Sequence, residues 1–543
     1  MRRTVLAFAT VATTLTASVF LAGTAEAIGP GGWDHVGVGS SSTSPSLSGG
    51  SSVTALNTEN PGVLYVGGNF TSAGGLSKAQ RVARWDGSAW RALGSNGLTN
   101  GGVFALAYHA GKLYVGGTFV NAGGNPNADF LAVWDGSSWA PFCNSLTSGP
   151  AITANVNALQ IVGNKLYVGG SFQNGAGIAS ADYLVGCDLT TGAASSTASF
   201  DGSFSGSVYA LAADSNGTLY AGGGFINLEA IPAADHVAAY DGSWHAMGSG
   251  NLPTDPAVDS FVRSLTAAGT NVYVGTDSVN VAGIPRADHV ARWNGSAWSA
   301  VGANTAGTNG WFPTSATIDA LRTYGSLVVA AGSFQNANGV ATADNIAYFD
   351  GSQWRPVGSN GAGNGPLGAH PTSLGIVGGK VYVGGNFTTA GGDQLARLLS
   401  AYALRQPDAA IGATTTGSFI GNNVYSAVGT GEVRTVRVHR RHSTTAYVRI
   451  QNDGLAAASF SISGTGHATG FSVRYFRGST EITSAVRAGT YTLPSLAPRS
   501  STLVRMSVHV ARAGASAVLF LTSIRSQSGT PHDAVRFVVK AAS

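Results

Sequence analysis

Short apolar runs recur in a constant order along residues 53–404. Each unit opens with a four-residue run: "VTAL" at Val53, "VFAL" at Val103, "VNAL" at Val156, "VYAL" at Val208, "VRSL" at Val262, "IDAL" at Ile318 and "PTSL" at Pro371. A Gly-bearing turn follows, then a segment of the type "KLYVGG", whose continuous apolar residues bounded by Gly read as a buried strand. A third run ends in "RWDGSAW" (Arg84), "VWDGSSW" (Val133), "AYDGSW" (Ala239), "RWNGSAW" (Arg292) or "YFDGSQW" (Tyr348). Asp-Gly or Asn-Gly between apolar runs predicts a hairpin, expected as a type I′ turn with φ > 0 at both central residues. The fourth run starts on Trp, as in "WRALG" at Trp90 and "WSAVG" at Trp298.

Aligned on the second segment, Tyr65, Tyr114, Tyr167, Tyr220, Tyr273, Val328 and Tyr382 are equivalent, at steps of 49, 53, 53, 53, 55 and 54. Seven units of four short strands, without helical periodicity, predict seven small antiparallel sheets. One such sheet cannot bury both faces, so the units are expected to close on one another as the blades of a seven-bladed β-propeller. The paired glycines after the second strand would let neighbouring blades approach closely. The seventh unit, "GGDQLARLLSAYALRQPD", lacks the turn and the Trp run, and the orphan "GWDHVGVG" around Trp33 supplies them. An N-terminal strand is therefore expected to complete the last sheet and remove the free edges.

After Leu404 the repeat stops. Residues 405–431 are small and polar and read as a linker. From residue 432 about eight runs of alternating character, from "VRTVRVH" to "AVRFVVKA", predict a β-sandwich over 432–543. The predicted class is all-β throughout: a propeller over 28–404 closed by an N-terminal strand, then a sandwich.

The pattern "LYVGGxFxxAGG…ARWDGSxW" resembles the propeller repeats of secreted bacterial proteins and of the fungal cortical cell-polarity marker family. It is more distantly similar to Kelch and galactose-oxidase-type propellers. The resemblance spans Trp33 to Leu404 and implies the fold; propellers host enzymes, lectins and scaffolds alike, so it implies no single activity. The C-terminal region resembles the immunoglobulin-like modules that end many secreted bacterial proteins, through "QNDG" at Gln451 and "LAPRSSTLVRMSV" at Leu496.

Composition adds an address. Arg2 and Arg3 precede an apolar stretch that ends in "AEA" at Ala25–Ala27, the pattern of a secretory signal peptide over 1–27. The alternative is an N-terminal anchor, although the apolar part is short and rich in small residues. No other stretch is long and apolar enough to span a bilayer as a helix, so the mature chain is expected outside the cytoplasm. There Cys143 and Cys187, the only cysteines, would form one disulfide or remain two buried thiols.

Charge separates the two regions. Residues 28–404 carry 13 Lys and Arg against 20 Asp and Glu, and residues 405–543 carry 15 against 5. A basic module on an acidic ring is expected to contact an anionic component of a cell surface, or simply to keep Arg on solvated strand faces. The densest cluster, "HRRH" at His439–His442, has no aromatic platform in sequence, so no nucleic-acid partner is expected.

Candidate chemistry is sparse. Asp129, Asp182, Asp235, Asp288 and Asp344 recur at one repeat position, as loop caps or as a carboxylate ring able to hold Ca²⁺. Glu229, Asp255 and Asp259 break the repeat and would serve an enzyme only if they converged. No HExxH, GxSxG or P-loop occurs. Trp311 and Phe312 stand in a long inter-blade loop where the repeat needs no aromatic, and are expected either to form an exposed ligand-binding pair or to fold back onto the blade edge. The sequence thus reads as a secreted, surface-associated binding protein for a carbohydrate, a cell-wall polymer or a protein. The alternative is an extracellular enzyme on polysaccharide or a related polymer, which would need symmetry-breaking carboxylates or His at the channel mouth.

Overall fold

The computed structural model describes residues 33–543 except 96, 144–148, 197–205, 227, 232, 251–254, 406, 422–430, 466, 513–515, 527–528 and 543, with the side chains of 230, 467 and 516–532 also left undescribed. The signal segment expected at 1–27 lies outside the described residues. Among the described residues the chain is all-β apart from short 3-10 turns and one helix, Thr483–Ala488.

Seven four-stranded antiparallel sheets follow one another. The first is built from Val53–Asn57, Leu64–Gly68, Val82–Trp85 and Trp90–Ala92. The seventh takes Pro371–Val377, Lys380–Gly385 and Leu399–Ala403, and its fourth strand is Trp33–His35, with Trp33 opposite Tyr402 and His35 opposite Ser400. The first strand of each sheet lies against that of the next, and the seventh against the first.

Register corrects two expectations. Val329, opposite Arg322, is the equivalent of Tyr65, opposite Asn57, so the sixth repeat aligns one residue later than Val328. The Asp-Gly turns are not type I′: Gly87 has φ 92° but Asp86 is not in the positive-φ region. Asp86 Oδ1 instead accepts the N–H groups of Ser88 (3.0 Å) and Ala89 (2.7 Å), a side-chain turn that spares Asp the left-handed conformation. The Ala89 N–H, then the Ser88 hydroxyl, hold this carboxyl well below its usual range.

Close approach explains the first glycine of each pair. A Cβ on Gly67 would stand 2.4 Å from Val103 Cγ1, and one on Gly116 2.3 Å from Val156 Cγ1. The Val or Ile at the head of six of the first strands thus fills the space left by glycine in the preceding sheet, while the seventh begins with Pro371 and follows Ala331 in the sixth sheet.

Tryptophan latches one sheet to the next. The indole N–H of Trp90 donates to the Val36 carbonyl (3.1 Å), Trp139 to Leu93 (3.0 Å), Trp298 to Met247, Trp354 to Val301 and Trp33 to Val357 (3.3 Å). Each bond joins a fourth strand to the carbonyl just past the fourth strand of the preceding sheet. The next residue in the preceding sheet is a positive-φ glycine on which an aromatic of the third strand rests; a Cβ on Gly37 would meet Trp85 at 2.7 Å. The third sheet has no Trp, and its fourth strand is Ala194–Ser195. At this seam Cys143 (φ 68°) takes the glycine position and Cys187, opposite Leu166, takes the aromatic position, and the two form a disulfide. A covalent bond replaces the latch where the repeat dropped it.

The C-terminal region is a second body with one core between two sheets. One sheet orders Phe419–Ile420, Pro407–Gly412, Ser443–Asn452, Ser501–Val510, Phe471–Arg477 and His467–Ala468; the other orders Val433–His439, Gly529–Ala542, Ser516–Ser526, Phe460–Gly464 and Tyr491–Thr492. Val433–His439 pairs parallel to Gly529–Ala542. The expected linker 405–431 is corrected here: Pro407–Gly412 is a fully buried strand paired with Ser443–Asn452, because Ala409, Ala410 and Ile411 are apolar enough to enter the core. Its remaining stretch 422–430 lies outside the described residues.

The second body docks on the sixth and seventh sheets through the two phrases that carried the immunoglobulin resemblance. Tyr402 Oη donates to the Asp453 carbonyl (3.1 Å), Ala456 N to the Leu404 carbonyl (2.8 Å) and Arg499 to the Pro356 carbonyl (3.1 Å). Leu455 is buried within the seventh-sheet core. Asn452 shapes this loop by donating to the Ala456 and Leu496 carbonyls.

Three buried carboxyl groups, Asp408, Glu432 and Asp533, gather in the second body. Burial, then the neighbouring carboxyls of Asp533 and Asp408, push the Glu432 carboxyl far above its usual range.

Two outcomes follow from this packing. Replacing both Cys143 and Cys187 with Ser, in a 44-residue loop, removes a cross-link worth about 4 kcal/mol in chain entropy; urea unfolding is expected to show a midpoint drop that reductant reproduces in the unmutated protein. A folded state that keeps the Glu432 proton binds more protons than the unfolded chain, so stability falls as pH rises from the ordinary glutamate range toward the raised value, by at most about 1.4 kcal/mol per pH unit. Glu432→Gln, neutral at every pH, is expected to flatten that slope and to raise the melting temperature at about pH 8, as read by calorimetry.

Candidate functional site

All seven first strands carry the same irregularity. Register shifts between their first and third residues, from Val53/Ala55 to Pro371/Ser373, so that the second residue is bulged and unpaired. A bulge re-aims one side chain and increases local twist. The seven first strands surround a cavity of about 170 Å³, room for about five waters. The fourth residue of every first strand is leucine (Leu56, Leu106, Leu159, Leu211, Leu265, Leu321 and Leu374), and all seven line this cavity. The collar is uniform from sheet to sheet.

The bulged residues are the opposite case. In order they are Thr54, Phe104, Asn157, Tyr209, Arg263, Asp319 and Thr372, nearly all different although their flanks repeat. Three of them tie their strand to the next one: Thr54 donates to the Val103 carbonyl (2.5 Å), Asn157 to Val208 (3.2 Å) and Thr372 to Val53 (2.8 Å). Phe104, Tyr209, Arg263 and Asp319 have no such bond, and the last three stand in consecutive sheets.

Loops that enter the first strands or join second to third strands bring partners to this mouth. The Arg263 guanidinium clasps Asp277 (Nε to Oδ1 2.8 Å, Nη2 to Oδ2 2.7 Å) and lies 4.0 Å from Asp319 Oδ1. The Asp277 clasp holds the Arg263 charge more firmly than usual, against the opposing effect of burial. Asp319 Oδ2 also bonds His370 Nε2 (2.7 Å) and accepts from the Thr317 hydroxyl (3.0 Å). Beside this chain of charges Phe261 and Tyr209 meet edge to face at 6.2 Å, each about two-fifths exposed. His236 lies 6.1 Å from Phe261 on the other side. The result is a rim with an exposed aromatic wall next to an arginine–aspartate–histidine series.

The expected sites are placed differently. Trp311 and Phe312 are not an exposed pair but are buried, each about 5% accessible. Trp311 stacks on Trp354 (6.0 Å), and Phe312 meets Phe334 (5.0 Å) and Trp354 (4.9 Å) edge to face. The long loop folds back because two large apolar side chains gain more from the sheet than from water. The recurrent aspartates cap loops: Oδ1 of Asp129, Asp182, Asp288 and Asp344 accepts the N–H of Asn121, Asn174, Asn280 and Asn336 at 2.6–2.8 Å. Those asparagines are left-handed, with φ between 48° and 54°; Asp235 occupies the equivalent position. Among the described residues no group of three or more His, Cys, Asp or Glu could hold a metal ion. Glu229, Asp255 and Asp259 do not line the cavity. The signal for the observed rim lay in the sequence as the most variable column of the "VTAL" motif.

No family model and no curated protein matches the chain. Partial similarities exist to solved structures: the secreted serine protease VesC from Vibrio cholerae (17% identity, TM-score 0.14, 20% of this chain and 21% of that one), the N-terminal domain of PorA (7%, 0.17, 25% and 99%) and domains 4 and 5 of the S-layer protein SbsC (15%, 0.13, 31% and 67%). The chain thus spans about a fifth of the length of VesC, and likenesses at these scores bear on neither its fold nor its activity. Among the described residues no helix is long and apolar enough to cross a membrane.

Trp311→Ala is expected to cost about 3–5 kcal/mol of stability, the usual loss for a large buried aromatic. Thermal unfolding checks the cost, and ligand binding by the protein that stays folded is expected to be unchanged.

Proposed function

We propose that the seven sheets are the blades of a closed β-propeller carrying an immunoglobulin-like module, and that the chain is a secreted, surface-associated protein that binds carbohydrate at the propeller mouth. The cyclic contact of the first strands and the N-terminal strand in the seventh sheet support the propeller. The observation that carries the binding reading is the ring of seven bulges, which projects one residue per blade and varies most there. Sugar rings present C–H faces to aromatic walls and hydroxyls to paired donors and acceptors; Tyr209 and Phe261 supply the first, and Arg263, Asp319 and His370 the second. The cavity behind the rim is too small for a polymer, which favours recognition at the surface.

One observation favours the alternative of an extracellular enzyme on polysaccharide: Asp319 and His370 are a symmetry-breaking carboxylate–imidazole pair at the mouth. Against it, Asp277 is clasped by Arg263, and Asp319 is shared among His370, Thr317 and Arg263. A general acid for glycoside cleavage needs a carboxyl kept protonated by apolar surroundings or by a second carboxylate. Asp277 and Asp319 instead hold one guanidinium between them.

A glycan array followed by titration with the mature protein tests the reading. Tyr209→Ala combined with Phe261→Ala is expected to weaken the selected glycan at least about tenfold, about 1.4 kcal/mol, with an unchanged melting temperature. Unchanged affinity would remove the mouth as the site. Release of new reducing ends from that glycan, abolished by His370→Ala, would establish the enzymatic alternative instead.

A further inference from the structure

The charges around the axial cavity are not all accounted for. Its charged lining residues are Arg263 and Asp319 at the mouth and Arg322, further along the same strand as Asp319. The two mouth groups have partners: Arg263 clasps Asp277, and Asp319 is shared among His370, Thr317 and Arg263. Arg322 has none. It is half-buried, yet among the described residues it makes no hydrogen bond or ion pair, and its three nitrogens are neither bonded nor sealed in.

The repeat makes this residue exceptional. Arg322 directly follows the leucine collar, and the six equivalent positions hold Asn57, Ala107, Gln160, Ala212, Thr266 and Gly375, none of which lines the cavity. A rise of about 3.3 Å per residue sets it about 10 Å along the strand from Asp319. The carboxylate whose field reaches it is the exposed Glu59, whose Oε2 is already taken by Asn57 Nδ2 (2.9 Å) and the Tyr108 N–H (2.9 Å). Burial weakens the hold of Arg322 on its proton, against the opposing effect of Glu59, but a guanidinium stays charged. A confined cation without an acceptor gains most from an oxyanion that takes two of its N–H groups.

We propose that the axial cavity receives the carboxylate of a uronic acid, held by Arg322, so that the glycan recognised at the mouth ends in an acidic sugar. The inference rests on the carbohydrate-binding reading above and names the class of sugar. Tyr209 and Phe261 offer their faces to the ring at the rim, and a cavity of about 170 Å³ has room for the acid group that the ring directs inward. The two aspartates of the mouth do not repel it strongly, because each already meets a cation or an imidazole. A carboxylate brings a single charge in the plane of the fork, whereas a phosphate monoester brings nearly two to the one uncompensated cation.

The test is calorimetric titration of the whole mature protein with the methyl glycosides of glucuronic and galacturonic acid, with methyl glucoside and methyl galactoside as their neutral counterparts, and with sodium acetate. At least one acid is expected to bind at least about tenfold more tightly than its neutral counterpart. Arg322→Gln is expected to abolish that preference while leaving the affinity for the neutral sugar unchanged and the melting temperature no lower. Arg322→Lys, which keeps the charge but loses the fork, is expected to keep only part of the preference, and decides the matter should the glutamine variant not fold. Binding of neither acid, equal binding of acid and neutral sugar, a full preference in the folded variants, or acetate binding as tightly as the acid glycoside each overturns the proposal. Acid and neutral sugars that bind equally and both weaken in the Tyr209→Ala, Phe261→Ala variant would sink this inference and leave the mouth reading intact. A preference lost with Arg322 but indifferent to Tyr209 and Phe261 would support the Arg322 site and remove the aromatic wall from the reading.

Discussion

Everything in the larger body depends on three residues pairing across more than three hundred positions of chain. Trp33, Asp34 and His35 lie antiparallel to Tyr402, Ala401 and Ser400, and the Trp33 indole continues to Val357 the same latch that four other sheets use. Lys380 reaches Asp34 (2.8 Å), and Ser400 donates to the Asp34 carbonyl. Without this strand the seventh sheet would expose an edge, and Trp90 would lose its acceptor at Val36. Closure by both chain ends makes the repeats mutually dependent, because each sheet is packed on two neighbours and none is terminal.

The seams show how a repeat tolerates imperfection. Five described seams use an indole-to-carbonyl bond, and the seam without a tryptophan uses Cys143 and Cys187 at the structurally equivalent glycine and aromatic positions. A disulfide serves there because the neighbouring strands already stand at the separation that glycine and an aromatic ring require, and an oxidising compartment would keep it closed. The same seam logic extends to the second body, which meets the sixth and seventh sheets through backbone hydrogen bonds and Leu455. The two bodies therefore share one boundary rather than a long tether.

Function in such a ring is confined to positions that closure leaves free. Leucine at the cavity wall, glycine at the approach points and aspartate at the left-handed asparagine turns are each set by packing or by an unpaired backbone group. The bulged residue pairs with nothing in the ladder, and four of the seven make no bond to a backbone carbonyl of the next sheet. At those positions Phe104, Tyr209, Arg263 and Asp319 are free to differ, and three of them gather with Phe261, Asp277 and His370.

Local patterning and period determined the all-β class, the seven units, the strand order within each unit and the closing role of Trp33, because those follow from short-range alternation, turn residues and the need of each sheet for neighbours. Tertiary structure decided the rest. Whether the Trp311–Phe312 pair stood exposed or folded back was open in the sequence because a loop residue has no periodic partner to reveal its burial, and packing on Trp354 decided it. The strand at 407–412 read as a linker because a buried strand of alanines and a carboxylate has little hydropathic contrast, and its pairing with Ser443–Asn452 is a long-range contact. The mouth was written in the sequence as one variable column, but its meaning depended on a register shift that no spacing of apolar residues encodes, since a bulge is a relation between two strands and not a property of either.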